Sequence, residues 1–368
     1  MIAINGRFLT QRVTGVQRFA LETSKAIDAL LETQDYATLR GQIELLVPPV
    51  CKELPELREI EIRRCGRGSG YYWEQIELPR FAKGKLLLGL CGLGPISVRH
   101  QAIVVHDTTY LAVPQAFTRS MRIIYNIIVP LLTRRVEMLL AVSQFTRNEM
   151  AQRLHVDPNQ VTVCWEGSDH FTKVAPQPEI LARSKLAANG YFLVVGGAVN
   201  KNLPALLKAF RDASPNDQLL VLTGKRNPRV HAAMEIEQKD TIRQLGYVTE
   251  GELRALYESA TALVYPSSYE GFGLPPVEAM ATGCPVITSD QPALLEVCGN
   301  ASLHYPLDKP AALTDLIRKV AGDETLRSEL RLKGRQRASN FTWERTARLV
   351  LNACLYWPAP GSDDTRLS

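Results

Sequence analysis

Two glutamates, Glu270 and Glu278, bracket the segment of the sequence that is best suited to chemistry. Between them lie Gly271-Phe272-Gly273-Leu274 and two prolines, which predict the first turn of a helix, where backbone N–H groups have no internal partner. Free N–H groups at a helix N-terminus bind phosphate, and glycines let a ligand approach the backbone closely. Carboxylates accept hydrogen bonds from sugar hydroxyls. The segment therefore predicts a site for a diphosphate flanked by hydroxyl-rich groups.

The spacing of apolar residues indicates which elements hold this segment. Short β-branched runs alternate with amphipathic stretches, which predicts parallel sheets covered by helices on both faces. Strands are predicted at 43–47, 102–105, 138–142, 160–163, 191–195, 218–222, 262–265 and 285–288. Helices are predicted at 16–31, 145–154 and 203–212. We therefore expect an α/β fold with doubly wound parallel sheets.

The strand pattern restarts after a proline-containing stretch near residues 170–185. We therefore predict two Rossmann-like domains, residues 1–172 and 173–341, and a flexible tail over 358–368. Ligands of open α/β sheets bind outside the carboxyl ends of the strands. The site is thus expected in a cleft where the two sheets face each other.

The composition of the 368-residue chain is that of a globular protein, with 45% hydrophobic and 22% charged residues. Its net charge of +5 suits an anionic ligand or a membrane surface but is too small to indicate a nucleic-acid-binding protein. Seven cysteines without a C-x-x-C pair predict free thiols in a reducing compartment. The N-terminus lacks the features of a signal peptide, and the most apolar run is too short to cross a bilayer. We expect a cytoplasmic protein.

Glu270 and Glu278, within EGFGLPPVEAMATGCPVI, resemble the E-x7-E signature of the retaining GT4 glycosyltransferases, which have the GT-B fold. Further segments are similar to the same family, namely 104–107, 141–146, 192–197, 200–203 and 245–249. The resemblance implies an acceptor-side domain, a nucleotide-sugar-binding domain and a final helix over 342–357 that packs back across the cleft.

The resemblance also implies roles for the candidate catalytic residues. Glu270 would bind hydroxyls of the donor hexose and stabilise charge at its anomeric centre, and Lys201 would neutralise the departing diphosphate. His106, at the end of a strand, would contact the transferred sugar or the departing oxygen. From the residues alone, a structural histidine that caps a loop is an equal alternative for His106.

The same resemblance implies a set of substrate-binding residues. The N–H groups of Phe272, Gly273 and Leu274, with Gly271, would hold the diphosphate, and Glu278 would bind the ribose hydroxyls. Backbone groups of Tyr247 and Val248 would contact the base, although Tyr247 could also be a packed aromatic. The remaining candidates are Gly197 in the phosphate loop and Gly15 and Arg18 on the acceptor or phosphate side.

The sequence departs from the family pattern in three places. Residues 196–200, directly before Lys201, contain no arginine, so neutralisation of the phosphate charge is expected to fall on Lys201 with Lys225 or Arg226. The inter-domain segment 166–169 reads Glu-Gly-Ser-Asp where the family often has Asn-Gly-Val-Asp, and the N-terminal glycine loop is reduced to residues 14–18. No Asp-x-Asp triplet or metal-ligand spacing is present. We therefore expect neither a metal nor a resident cofactor.

The favoured function is a retaining glycosyltransferase that moves a hexose from a nucleotide diphosphate sugar, with GDP-mannose as first choice. The acceptor would be a saccharide or a polyprenyl-linked saccharide of polysaccharide or O-antigen assembly, and no nucleic-acid partner is expected. Alternatives are a nucleotide-sugar epimerase or hydrolase on the same fold and a non-catalytic nucleotide-sugar-binding protein. An oxidoreductase is disfavoured because no G-x-G-x-x-G is present.

Four arginines flank the apolar stretch between Arg119 and Arg135. We favour a pair of core helices with solvated ends here. The alternative is a membrane-surface patch that meets a lipid-linked acceptor, with peripheral contact on the inner face of the cytoplasmic membrane.

Overall fold

The computed structural model of the protein describes residues 1–215, 217–224 and 241–356. Lys225, Arg226 and the predicted tail over 358–368 lie outside the described residues. The first parallel sheet has seven strands in the order β3-β2-β1-β4-β5-β6-β7. These are β1 (Ile2–Asn5), β2 (Ile43–Val47), β3 (Glu61–Arg64), β4 (Leu86–Gly89), β5 (Gln101–Val105), β6 (Met138–Ala141) and β7 (Val161–Val163).

The second parallel sheet has six described strands in the order β10-β9-β8-β11-β12-β13. These are β8 (Tyr191–Val195), β9 (Leu219–Thr223), β10 (Ile242–Gly246), β11 (Ala262–Tyr265), β12 (Val286–Ser289) and β13 (Leu303–Tyr305). The predicted α/β fold with two doubly wound parallel sheets is confirmed. Five strands that the sequence analysis did not predict, β1, β3, β4, β10 and β13, complete the sheets.

Helices connect the strands of both sheets. In the first half they are α1 (Gly15–Leu31), α2 (Gly70–Tyr72), α3 (Leu78–Phe81), α4 (Thr109–Ala112), α5 (Arg119–Thr133) and α6 (Gln144–Leu154). In the second half they are α7 (Asp169–Lys173), α8 (Glu179–Arg183), α9 (Leu203–Ala213), α10 (Glu250–Ser259), α11 (Leu274–Thr282), α12 (Pro292–Cys298), α13 (Ala311–Gly322), α14 (Glu324–Ala338) and α15 (Trp343–Tyr356). Shorter helical turns are Gly6–Thr10, Gln34–Leu39, Trp73–Glu77, Pro114–Ala116, Pro158–Gln160, Val199–Lys201 and Gly299–Ala301.

The burial of the strands follows from their positions in the sheets. Every residue of β2 and β5 is buried, as expected for strands covered by helices on both faces. The edge strand β3 is largely exposed and carries three charged residues, Glu61, Arg63 and Arg64. Charged, exposed edges prevent a sheet from pairing with other chains.

The last helix, α15, belongs to the second half of the sequence but packs against α1 of the first domain. Its start is fixed by Asp169, whose Oδ1 accepts a hydrogen bond from the backbone N–H of Trp343 at 2.7 Å. The side chain of Trp343 donates to Nδ1 of His170 at 2.9 Å. The inter-domain segment therefore anchors the final helix where the two domains meet.

The stretch from Arg119 to Arg135 differs from the favoured expectation. It forms a single helix, α5, instead of a pair of core helices. Val129 and Leu132 are buried, but the apolar side chains on the outer face are exposed. Within the ranges that the structure describes, no helix is both long and apolar enough to span a bilayer. All seven cysteines are unpaired, as predicted.

Candidate active site

A cleft of about 430 Å³ lies between the carboxyl ends of the two sheets. His106 follows β5 on one side, and Lys201 and Glu270 come from the loops after β8 and β11 on the other. Glu278 reaches the cleft from α11. The other predicted residues that line it are Gly15, Arg18, Tyr247, Val248, Gly271, Phe272, Gly273 and Leu274. The fold thus brings most of the candidate residues to one cavity.

The turn before α11 presents unpaired backbone donors to the cleft. Gly273 has a φ of 103°, a left-handed conformation that favours glycine. Gly271 packs so closely on the first domain that a Cβ would lie 1.8 Å from the carbonyl oxygen of His106. The N–H groups of Phe272, Gly273 and Leu274 donate to no acceptor in the part of the chain that the structure describes. With the helix dipole behind them, these groups form an anion site.

Glu270 has one oxygen held by the protein and one that is not. Its Oε1 accepts hydrogen bonds from Nζ of Lys201 at 2.6 Å, from Nδ2 of Asn200 at 3.1 Å and from Oγ of Ser267. Its Oε2 takes part in none of these three hydrogen bonds. The carboxylate is therefore oriented through one oxygen, and the other is available to a ligand in the cleft.

Lys201 lies between Glu270 and the aromatic ring of Tyr265. Its ammonium nitrogen is 3.9 Å from the ring centroid and also contacts the Tyr265 hydroxyl. Burial is the largest cause that raises the pKa of Tyr265 well above 10, so this tyrosine is neutral. The ammonium group is thus held at the cleft wall by a carboxylate and a ring face.

Glu278 lies in a much less polar environment than Glu270. Its carboxyl is 8% exposed, and burial raises its pKa from 4.5 to about 7. Its neighbours are the hydroxyl of Tyr257 at 3.5 Å and Nε2 of His170 at 3.6 Å. Burial lowers the pKa of His170 to about 3, and its Nδ1 accepts from Trp343, so the neutral ring directs its Nε2–H toward Glu278. The contact is therefore not an ion pair at neutral pH.

His106 lines the cleft, but both of its ring nitrogens face protein groups. Nε2 is 2.8 Å from the carbonyl oxygen of Leu90, and Nδ1 is 3.5 Å from Oε1 of Glu166. The ring packs edge-on against Phe19 with centroids 4.9 Å apart. A ligand can bond to a ring nitrogen of His106 only if one of these contacts is given up.

Residues of the first domain contact the predicted base-binding turn directly. Arg18 bonds Oε1 of Glu22 on α1 at 3.3 Å and forms an ion pair with Glu250 at the start of α10. The guanidinium of Arg12 lies 3.4 Å from the ring centroid of Tyr247, which is 55% exposed. Tyr247 is therefore not a packed core aromatic. Gly15 begins α1 at the mouth of the same cleft.

Three candidate residues, Gly197, Lys225 and Arg226, are not among the residues described as lining the cleft. Gly197 does not line it, although the neighbouring Gly196 has a φ of 90°. Lys225 and Arg226, the expected substitutes for the missing arginine, fall outside the described ranges. Among the described residues, the cleft is lined by one lysine, Lys201, and one arginine, Arg18.

Sequence reasoning missed Asn200, Ser267, Tyr265 and Glu166. Asn200 and Ser267 lie next to predicted loops at the ends of β8 and β11, and these two strands are neighbours in the sheet. Their positions beside Lys201 and Glu270 in the sequence were the signal that could have found them. Glu166 follows β7 at the carboxyl end of the first sheet and lines the cleft.

Comparison with known proteins is consistent with this arrangement. Residues 178–337 match the family model described as "Glycosyl transferases group 1". The chain is 29% identical over 254 residues to the O-antigen chain mannosyltransferase RfbU of Salmonella typhimurium, covering 68% of this chain and 69% of that protein. It is 32% identical over 228 residues to O-antigen chain mannosyltransferase B of Escherichia coli, covering 59% and 60%.

A solved structure shares the fold over almost the whole chain. The sucrose-phosphate synthase of Thermosynechococcus elongatus superposes with a TM-score of 0.71 at 18% sequence identity. The superposition covers 95% of this chain and 97% of that one. At this identity the likeness concerns the fold.

Proposed function

We propose that this chain, whose residues 178–337 match the family model of the group 1 glycosyl transferases and whose fold is GT-B, moves a hexose from a nucleotide diphosphate sugar to an acceptor hydroxyl with retention. Mannose from GDP-mannose is the first choice, because two relatives are named O-antigen chain mannosyltransferases. The proposed acceptor is a saccharide or polyprenyl-linked saccharide of surface-polysaccharide assembly.

One observation carries the proposal: a free carboxylate oxygen, a lysine and an unpaired helix N-terminus meet in a single cleft. Oε2 of Glu270 is available to sugar hydroxyls, and Lys201 is 2.6 Å from the other oxygen of the same carboxylate. The N–H groups of residues 272–274 stand beside them. A diphosphate and a hexose joined to it need donors and an acceptor of these kinds at adjacent positions.

The residues of the cleft would divide the work of transfer. The N–H groups before α11 and the Lys201 ammonium would stabilise negative charge as the diphosphate departs, because preorganised donors need no reorientation during the reaction. Glu270 would hold the hexose and stabilise positive charge at the anomeric carbon. Glu278 would accept hydrogen bonds from the ribose hydroxyls. In the proposed front-face route the leaving diphosphate accepts the proton of the acceptor.

A second cavity supports an acceptor site in the first domain. It has a volume of about 270 Å³ and shares His106 and Asp107 with the main cleft. Tyr71, Tyr125 and Tyr110 line it, and the buried Tyr110 hydroxyl has no hydrogen-bond partner among the described residues. Aromatic rings with unpaired polar groups suit a sugar, whose faces are apolar and whose edges carry hydroxyls. We refer to this cavity as the acceptor pocket.

Helix α5 covers the acceptor pocket and carries the feature that supports membrane contact. Its inner face contributes Tyr125 and Val129 to the pocket. Its outer face leaves Ile123 and Ile127 exposed, at 61% and 55%. Arginines flank this stripe at 119, 122, 134 and 135. Apolar side chains among cations fit an anionic bilayer, so we propose that α5 docks on the membrane that holds a lipid-linked acceptor.

Transfer assays with defined donors test the proposed reaction. The purified protein is given GDP-mannose, UDP-glucose or a dTDP-hexose, with and without synthetic polyprenyl-linked saccharides. We expect transfer from GDP-mannose in the presence of acceptor, and NMR of the product should show the anomeric configuration of the donor. Product formed from donor alone would favour an epimerase or hydrolase. Thermal stabilisation by a nucleotide without turnover in any arm would favour a binding protein.

Vesicle flotation tests the membrane contact separately. We expect binding to phosphatidylglycerol vesicles at low salt and weaker binding to neutral vesicles. The double variant Ile123→Glu/Ile127→Glu should lose this binding. Leu332→Glu changes a leucine on α14 that is 72% exposed. This variant should bind vesicles as the wild type does. Equal binding by all three proteins would contradict the proposal.

A further inference from the structure

Glu166 is a buried carboxyl that reaches the cleft from the inter-domain segment. It is 5% exposed, and its Oε1 lies 3.5 Å from Nδ1 of His106. In ligand-free structures, hydrogen bonds that matter for catalysis are often long. His106 borders both the donor cleft and the acceptor pocket, so this contact stands where the two cavities meet.

The partners of His106 determine where its protons must be. Nε2 lies 2.8 Å from the carbonyl oxygen of Leu90, and a carbonyl only accepts, so Nε2 carries a hydrogen. In a neutral ring Nδ1 is then a lone pair, directed at Oε1 of Glu166. An ionised carboxylate and a lone pair repel each other. A stable contact therefore requires one proton between Oε1 of Glu166 and Nδ1 of His106.

The groups around Glu166 favour the presence of that proton. Burial is the largest cause that raises the pKa of Glu166, and the charges of Glu270 and Asp107 raise it further. His106 lowers it. Glu278 on α11 also interacts with Glu166, and each carboxyl disfavours ionisation of the other.

Three further titratable or charged groups lie near the pair. Cys164, at the end of β7, remains a neutral thiol because burial raises its pKa. Lys201 and Arg18 line the same cleft, but each is paired with another carboxylate, Glu270 and Glu250 respectively. Neither cation is therefore the principal partner of Glu166.

We infer that Glu166 is a positioning residue whose shared proton holds the His106 ring at the junction of donor cleft and acceptor pocket. The inference rests on the proposed transferase function. In the protonated pair, Glu166 donates to Nδ1 while Nε2–H donates to Leu90, and the ring is fixed at both nitrogens. When the proton is lost as the pH rises, the contact becomes repulsive and the ring is released into the path of the acceptor.

Two variants of Glu166 separate this role from simple packing. Glu166→Gln retains the shape of the side chain and supplies an amide N–H to Nδ1 at every pH. We expect it to transfer hexose at a rate close to that of the wild type and to lose the decline of kcat that the wild type shows as the pH rises. Glu166→Ala should lower kcat by about 10- to 100-fold, because a buried polar partner is left unsatisfied, and should leave the KM for the donor little changed. Glu44→Gln, a buried glutamate paired with Lys85 outside the cleft, serves as the control and should keep the wild-type pH profile.

The outcomes distinguish this inference from the proposed function. The inference would be overturned by identical pH profiles for the wild type and Glu166→Gln, or by a Glu166→Gln variant as slow as folded Glu166→Ala. In either case, transfer of hexose by the wild type would still uphold the proposed function. If the wild type transfers nothing, the function fails, and NMR of ¹⁵N-histidine-labelled protein tests the pair directly. A hydrogen-bonded Nδ1 of His106 in the wild type and Glu166→Gln, lost in Glu166→Ala, supports the inference, and the same Nδ1 signal in all three refutes it.

Discussion

Replacement of Glu278 by glutamine is expected to stabilise the ligand-free protein at neutral and alkaline pH. The carboxyl is buried on α11, and no cation among the described residues lies within ion-pair distance of it at neutral pH, because burial keeps the neighbouring His170 neutral. Its ionisation in the folded protein is therefore costly. An amide of the same shape carries no charge to desolvate.

The pKa of Glu278 gives the magnitude and the pH range. Burial raises it from 4.5 to about 7, which corresponds to a folding penalty of about 3 kcal/mol for the ionised form. The folded protein binds this proton more tightly than the unfolded chain does. The penalty is thus absent below pH 4.5, grows between pH 4.5 and 7, and is complete above about pH 7. Glu278→Gln should be more stable by about 2–3 kcal/mol at pH 8, or about 3–4 °C in Tm for cooperative unfolding of the 368-residue chain, and close to the wild type at pH 4.5.

Thermal unfolding of the ligand-free proteins across this pH range is the assay, with titration calorimetry of GDP alongside. Glu329→Gln, an exposed glutamate on α14, should show no comparable pH-dependent difference from the wild type. The Gln variant should bind GDP more weakly, because one carboxylate acceptor for ribose hydroxyls is lost. A difference in Tm that is constant with pH, or a variant that is less stable than the wild type at pH 8, would refute the reasoning.

Three further predictions concern the same cleft. Glu270→Ala should lower kcat for transfer by about 100- to 1000-fold and change the Kd of GDP by less than about threefold, and near-normal turnover would contradict its role. Lys201→Met should lower kcat similarly. In steady-state kinetics, the double variant Glu270→Ala/Lys201→Met should lose less than the product of the two single losses, because the two side chains form one ion pair. Multiplicative losses would indicate independent roles. Glu250→Gln removes the ion-pair partner of Arg18 across the cleft. Calorimetry should show at most about a fivefold loss of GDP affinity, since such partly exposed pairs contribute about 1 kcal/mol or less. A larger loss would indicate that the pair contacts the ligand directly.

The strands that sequence reasoning predicted are mostly apolar, although 43–47 includes Glu44 and 160–163 includes Gln160 and Thr162. The predicted strands 43–47 and 262–265 match β2 and β11 in both bounds. Strands β1 and β4 have four residues each, as β11 does, and both lie in the middle of the first sheet, so neither their length nor an edge position distinguishes them from the predicted strands. Strand β10 is only partly buried, and its Arg-Gln pair lacks the apolar character on which the prediction depended. Of the five strands that were not predicted, β3, β10 and β13 lie at sheet edges, where a strand has a neighbour on one side only.

The same distinction applies to the site. Glu270, the glycines and Glu278 occupy one short segment, so their relation could be read from the sequence alone. Ser267 is only three positions from Glu270, but the other two donors, Lys201 and Asn200, are 69 and 70 positions away and are brought to it by the pairing of β8 with β11. Glu166 reaches His106 only because β5, β6 and β7 are adjacent in the sheet. No local pattern contains the order of strands in a sheet.

The electrostatics of the cleft also depend on burial more than on composition. Glu270, Asp107, Glu166 and Glu278 all line a cavity proposed to receive an anionic diphosphate, and four ionised carboxylates would repel it. Glu270 is compensated by Lys201 at 2.6 Å. For the other three, burial is the largest cause that raises the pKa, so each holds its proton to a higher pH than an exposed acid does. The fold thereby keeps one carboxylate charged beside its lysine and lowers the charge of the rest, which makes an acidic cleft compatible with a diphosphate ligand.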